Sequence, residues 1–351
     1  MLVPGHQCEY DYRTLWPGNY PHERDWMEHT QITGEPPAGA GSTISFHGSG
    51  FTLFGIQLVN LLFIIITLGI YYFWAKVKVR KYIWSQLEFA GDRFCFHGTG
   101  KEILIGWLKA AIVFGIPFLV FNNLPLFMKG APASYWLAAG LTWAVVGVFL
   151  PYAIVGTRRY RLSRTSLLGI RFSFRGKWWD FAVFYWGIAL LLLATLGLYY
   201  PYFAIKKTGY LTERSFFGNR HFAFDGKGAD LFGTFVIAVL LALPTLFLSI
   251  LWFKYKKDKY VYDHTSFETA RLRSSITFGG VFWLYLVNLL ILVFTLGFGA
   301  PFVKIRNLHY YIGNLSVEGG LDMAAIAQEA GDVSAMGEEV GDLLGMDFDL
   351  G

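Results

Sequence analysis

Ile64-Ile65-Ile66-Thr67-Leu68-Gly69-Ile70-Tyr71-Tyr72-Phe73-Trp74-Ala75-Lys76 ends a long apolar run with a small polar tripeptide, then aromatic residues, then a cation. The tripeptide returns after two later apolar runs, as Thr195-Leu196-Gly197 and Thr295-Leu296-Gly297. Aromatic rings followed by Lys or Arg at the end of an apolar stretch match the chemistry of a membrane–water interface, where long basic stems reach for headgroups. The expected fold is therefore an α-helical polytopic membrane protein. It should have about six membrane-embedded segments built from internal repeats, with short peripheral β-hairpins.

Composition agrees. Charged residues make up 16% and hydrophobic ones 54% of the 351 residues, and the mean hydropathy is +0.41. Soluble domains carry about 25% charged residues. A helix crosses the hydrocarbon core with roughly 20 apolar residues. Runs at about 51–75, 103–121, 135–155, 181–204, 231–253 and 281–303 qualify. No signal peptide precedes them, so the first run is expected to act as its own insertion signal. The net charge of +5 is uneven. The basic excess lies between the spans, which points to anionic lipid headgroups as partner rather than nucleic acid.

Repetition can be followed residue by residue. Thr67 to Tyr72 fall on Thr195 to Tyr200 at a shift of 128 positions, and Tyr82 falls on Tyr210. At a shift of 228, Asn60 falls on Asn288 and Lys76 on Lys304. An aromatic alternation ending in Gly appears at Ile44–Gly48, Phe94–Gly98, Phe172–Gly176, Phe222–Gly226 and Ile276–Gly279. Alternation of period two reads as a short strand. The domain plan is a polar, acidic, mostly disordered tail over 1–43 and a membrane domain over 44–320, with repeats starting near 44, 172 and 276. A second acidic, mostly disordered tail follows over 321–351, with two helical turns expected between Leu321 and Gln328. Cys8 and Cys95 stand far apart and are expected to be unpaired thiols.

Phe46-His47-Gly48-Ser49-Gly50, Val59-Asn60-Leu61-Leu62, Ile66-Thr67-Leu68-Gly69-Ile70-Tyr71, Trp74-Ala75 and the basic run to Tyr82 together resemble the YjgN-like family of bacterial inner-membrane proteins. The resemblance runs from about Ser45 to Ala327. It implies the bacterial cytoplasmic membrane and carries over no catalytic residue.

Charge and length disagree about topology. Six crossings put the basic loops after spans one, three and five on the cytoplasmic side, and both tails outside. The loop after span four, with Lys206, Lys207, Arg214, Arg220 and Lys227, would then be external. Either the repeats are inverted, as in many transporters, or some segments re-enter, their Gly breaking the helix. Segment length favours crossing, which is adopted as the expectation.

Candidate sites follow. Asn60 and Asn288 lie inside apolar runs, and Lys109 lies well inside a span; ionisable or amide groups in lipid point to a pathway or to an interhelical hydrogen bond. Lys76, Lys78, Arg80, Lys81, Arg158, Arg159, Lys206, Lys207, Lys256 and Lys257 are the expected headgroup contacts. Gly48/Gly50, Gly98/Gly100 and Gly226/Gly228 read as strand-to-helix turns rather than phosphate loops. No catalytic residue, metal site or cofactor is expected, and no enzyme signature occurs. The leading expectation is a small-molecule or ion transporter or channel-like protein lined by Asn60, Asn288 and Lys109. The alternative is a non-transporting protein that binds anionic lipid or organises a partner. A homo-oligomer is left open.

Overall fold

The computed structural model describes residues 44–321 and Ile326. Both expected tails, and the helical turns expected after Leu321, lie outside the described residues apart from Leu321 and Ile326 themselves.

Among the described residues, five helix pairs follow one another, joined by strands. The first is α1 (Gly50–Ile66) and α2 (Tyr72–Ser85). The second is longer. Here α3 (Gly100–Ala110) runs through a π-helical turn (Ala111–Gly115) into α4 (Ile116–Asn122), a short α5 (Leu124–Phe127) follows, and α6 (Pro132–Ser163) returns. Then come α7 (Trp178–Ala194) with α8 (Tyr200–Glu213), α9 (Gly228–Leu240) with α10 (Leu248–Asp263), and α11 (Phe278–Phe294) with α12 (Ala300–Gly313).

The recurring tripeptide is a built break between helices. Leu68, Leu196 and Leu296 have φ near +50°, and the following Gly69, Gly197 and Gly297 near +90°. Glycine adopts that region without a Cβ clash, which is why it follows the last helical turn. Each glycine N–H bonds back five residues, to Ile64, Leu192 and Leu292, at 2.8 Å. The threonine serves both helices. Thr67 Oγ1 donates to Phe63 O at 2.7 Å and accepts from Tyr71 N at 3.0 Å, so it closes one helix and caps the next. Thr195 and Thr295 do the same. The pair α9–α10 makes this turn without glycine: Thr245 bonds identically, and Leu246 and Phe247 take positive φ.

Each pair folds back on itself. Tyr82 Oη accepts from Ser49 N at 2.6 Å, which ties the end of α2 to the start of α1. Tyr210 bonds Lys177 O, Tyr260 accepts from Lys227 N, and Tyr310 donates to Thr277 O, each across 33 residues. In the long pair Tyr160 donates to Glu102, whose carboxylate also pairs with Arg164 at 3.2 Å. All five pairs thus begin and end on one face.

On that face lie the strands. β1 (Ile44–Phe46), β2 (Leu87–Phe89) and β3 (Asp92–Arg93) form a three-stranded antiparallel sheet. An eight-stranded antiparallel run contains β4 (Cys95–Phe96), β5 (Thr165–Leu167), β6 (Ile170–Phe174) and β7 (Ser215–Phe217). It continues through β8 (Arg220–Phe224), β9 (Thr265–Phe267), β10 (Ala270–Ser274) and β11 (Leu315–Glu318). The last pair meets the first, with α12 against α1 and β1 against β11, so the pairs close into a ring. On one face of the strands the buried Leu167, Phe217 and Ile326 pack with the half-buried Phe94, Phe172, Phe222 and Phe267. Ring centroids of Phe172–Phe217 and Phe222–Phe267 lie 4.6 and 4.8 Å apart. Such pairs contribute about 1 kcal/mol each beyond area burial.

Several expectations change. Of the six expected segments, two become helices long and apolar enough to cross a membrane, Gly100–Asn122 and Pro132–Ser163. The others break at the tripeptide or its Thr245 equivalent, because the left-handed residues end the first helix there. The alternation at Ile276–Gly279 is not a strand. β10 ends at Ser274, and Phe278 already starts α11. Cys95 is disulfide-bonded rather than a free thiol.

Candidate functional site: a cationic belt

The height of a residue above the strand face follows from the helical rise of about 1.5 Å per residue. Lys76 precedes Ser85 by nine residues, Lys254 precedes Asp263 by nine, and Lys304 precedes Gly313 by nine. Lys109 follows Gly100 by nine. These four ammonium groups, from four helix pairs, therefore leave their helices at one level, roughly 13 to 14 Å above the strands. Lys78, Lys206 and Lys256 sit slightly lower, with Arg80, Lys81, Arg158, Arg159, Lys207 and Lys257 nearer the strands. Beyond the belt each short pair continues for only about 10 Å before its turn, and that part is apolar.

The turns present their leucines outward. Leu68, Leu196, Leu246 and Leu296 are 95, 93, 87 and 88% exposed. A leucine held in strained left-handed backbone and fully exposed is costly in water. It suits a lipid-embedded tip.

Several belt cations rest on aromatic rings. Lys76 lies 5.7 Å from the Tyr72 centroid, Lys78 5.4 Å from Tyr71, and Lys256 5.8 Å from Tyr255. Arg159 donates to Gly176 O at 2.8 Å, and Lys254 pairs with Asp258 at 2.8 Å. Tyr311 donates to the same carboxylate, which Lys257 also approaches at 3.8 Å. Burial, reinforced by Lys257, pulls the Lys207 ammonium below the ordinary lysine range. Nearer the strands, His97 bonds Ser166 Oγ at 2.7 Å, and burial first, then Arg171, Lys81 and Arg164, lowers its pKa.

The expected polar lining is not gathered into one place. Asn60 is 3% exposed and reaches Ala75 O at 3.4 Å within its own pair. Asn288, 5% exposed, donates to Asn307 Oδ1 at 2.7 Å within the last pair. Each leaves its own Oδ1 without a partner. Lys109 is half-buried just before the π turn and joins the belt level rather than a lining. A shallow cleft lined by Asn122, Asn123 and Tyr135 lies at the far end of the long pair.

The glycine pairs serve packing. A Cβ at Gly228 would stand 2.6 Å from the Tyr202 Cα, and one at Gly100 would stand 2.8 Å from the Trp74 Cα. The second glycine lets the preceding pair's returning helix touch backbone. Sequence reasoning aligned Tyr82 with Tyr210 but gave them no role, missed Asp258, and left Lys254 and Lys304 out of the expected headgroup contacts. The tyrosines carried a usable signal, their fixed spacing after each glycine turn.

A family model described as bacterial protein of unknown function (DUF898) matches residues 42–255 and 235–343. The inner membrane protein YjgN of Escherichia coli (strain K12) is 35% identical over 138 residues, covering 38% of this chain and 32% of the relative. YjgN of Salmonella typhimurium is 34% identical over 141 residues, covering 39% and 33%. The match therefore spans about a third of the length of these curated relatives. No solved structure matches.

Proposed function

We propose a role for this chain from the premise that it belongs to the DUF898 family of bacterial proteins and resides in the bacterial inner membrane. In this reading it is a membrane anchor and anionic-lipid binder that presents its strand ring at one membrane face. The observation that carries the reading is the set of tyrosine latches, which return every helix pair to the face where it began.

Only the long pair crosses. At about 34 Å for the 23 residues from Gly100 to Asn122, it exceeds a hydrocarbon core of about 30 Å. The four short pairs re-enter, each dipping its leucine tip about 10 Å below the belt, within one leaflet. The chain is then a tandem array of one unit. Tyr160, Tyr210, Tyr260 and Tyr310 recur every 50 residues, and Tyr82 precedes the longer second copy. Because the basic residues share a face, the positive-inside rule makes that face cytoplasmic. The transporter reading needed Asn60, Asn288 and Lys109 to line one path. Their separate surroundings favour the lipid reading instead.

Two measurements test this. Cysteines at the exposed Thr99 and Asn219, on a background lacking Cys8 and Cys95, should both resist impermeant reagent in intact cells and react after permeabilisation. Labelling of Asn219→Cys alone from outside would restore the inverted-repeat topology. Replacing Lys78, Lys206 and Lys256 with Gln should reduce the anionic lipid that co-purifies, and an unchanged lipid profile refutes the belt's role.

A further inference from the structure

Four hairpins among the described residues end in an apolar residue at the turn. Phe89, Leu167, Phe217 and Phe267 are the last residues of β2, β5, β7 and β9. At the fifth position the chain enters the ring at β1 and leaves it from β11, so no hairpin tip fills that place. The chain beyond β11 folds back on the tips instead. Gly319 takes φ of +107°, and a Cβ on it would stand 2.5 Å from Thr269 O. Thr269 Oγ1 donates to Gly320 O at 2.6 Å, which holds the departing chain against the β9–β10 turn. Leu321 is half-buried, and Ile326 is 6% exposed, packed with Leu167 and Phe217.

Phe172, Phe222 and Phe267 stay half-buried with Ile326 in place. Without it the apolar area open to water at the tips would grow, and a contiguous area of that kind marks a binding surface. Among the described residues beyond β11, Ile326 is the one buried side chain, so the segment is held through a single apolar anchor. One anchor binds weakly as a free peptide. Tethered, it suffices, because a short linker keeps its effective concentration in the millimolar range. Charge favours the same occupant. Residues 322–349 hold eight acids and no Lys or Arg, whereas residues 44–320 hold 28 Lys and Arg against 11 acids. Such a segment is drawn to the strand ring and repelled by anionic headgroups.

We propose that the hairpin tips form a docking surface for a short apolar and acidic peptide segment, and that the chain's own C-terminal segment, seated by Ile326, occupies it as a removable plug. The partner is this chain itself, bound in cis. The contact lies on the strand face, away from the belt. It depends neither on lipid binding nor on how many segments cross the membrane, so either reading can fail without the other.

The test uses the full chain purified in maltoside detergent, with Ile326→Asp to open the site, and a fluorescent peptide with the sequence of residues 319–332. The peptide should bind the Ile326→Asp chain one to one. It should bind wild type roughly tenfold more weakly or less, because the tethered copy competes. The same peptide carrying Ile326→Asp should bind the open chain roughly thirtyfold more weakly, the change expected from losing one buried isoleucine. A second measurement does not need the open chain. Ile326→Cys, on the background lacking Cys8 and Cys95, should react with maleimide roughly tenfold more slowly than the exposed Asn219→Cys. Excess native peptide should speed that reaction by displacing the plug. Equal rates for the two cysteines overturn the proposal, and so does protection of Ile326→Cys that excess peptide leaves unchanged. An open chain that ignores the peptide overturns it too. An Ile326→Asp chain that no longer folds does the same, since the segment is then a fixed part of the core.

Discussion

Replacing Leu196 with Asp sets two physical effects against each other, and the sign of the outcome reports where the turn lies. Leu196 has φ of 48° and is 93% exposed. In water the change should be neutral or mildly favourable. Asp tolerates left-handed backbone better than Leu, which relieves strain of order 1 kcal/mol, and no packed contact is lost. In lipid the sign reverses. On insertion scales Leu gains about 0.5 kcal/mol at the centre of a membrane helix and Asp loses roughly 3. The tip lies about 10 Å beyond the belt rather than at the midplane, so about 2 kcal/mol remains after the strain relief. Leu168 supplies the internal control. It has φ of 52° and is exposed, but it lies between β5 and β6 on the strand face. Leu168→Asp should leave stability unchanged or raise it slightly. The assay is reversible unfolding in bicelles, compared with the same variants in short-chain detergent. A Leu196→Asp chain as stable as wild type in bicelles, matching Leu168→Asp, refutes the embedded tip and with it the re-entrant reading.

Three further outcomes follow from individual contacts. Gly228→Ala brings a Cβ to 2.6 Å from the Tyr202 Cα, so α9 must shift away from α8; a loss of about 1–3 kcal/mol is expected in thermal or denaturant unfolding, whereas Gly233→Ala, with open space around it, should cost nothing. His97 is held below its ordinary pKa of 6.5, so the folded chain binds fewer protons than the unfolded one just below that value. Stability therefore rises with pH through this range and is lost as pH falls from 6.5 towards the folded pKa; His97→Gln should flatten that slope in denaturation measured from pH 5 to 8. Asn288→Leu removes the donor to Asn307 Oδ1; a loss near 0.6 kcal/mol is expected, and a much larger one, with a changed binding of ions, would return Asn288 to a functional role.

What sequence alone could determine was chemistry in one dimension. Apolar runs, the aromatic patches after them and the cations beyond imply a membrane protein, because those residue types partition by depth. Thr-Leu-Gly could be recognised as a recurring break, since glycine after a helical run favours the left-handed region. The Phe-x-Phe-x-Gly alternation marked β4, β6 and β8 for the same kind of local reason. The turn at Thr245-Leu246-Phe247 escaped notice because it lacks glycine, and its geometry is imposed by the packing of α9 on α10. β10 was displaced because Ile276-Thr277-Phe278 imitates the alternation while Thr277 caps α11.

Direction was decided only in three dimensions. A 17-residue apolar helix lies at the lower limit of what spans a bilayer, so length is compatible with crossing and with return. The deciding contacts, Tyr82 to Ser49 and its three equivalents, join residues 33 apart. Local propensity says nothing about contacts at that separation. The same holds for the cationic belt. Its basic residues stand plainly in the sequence, but their common level exists only once each helix pair returns to the strand face.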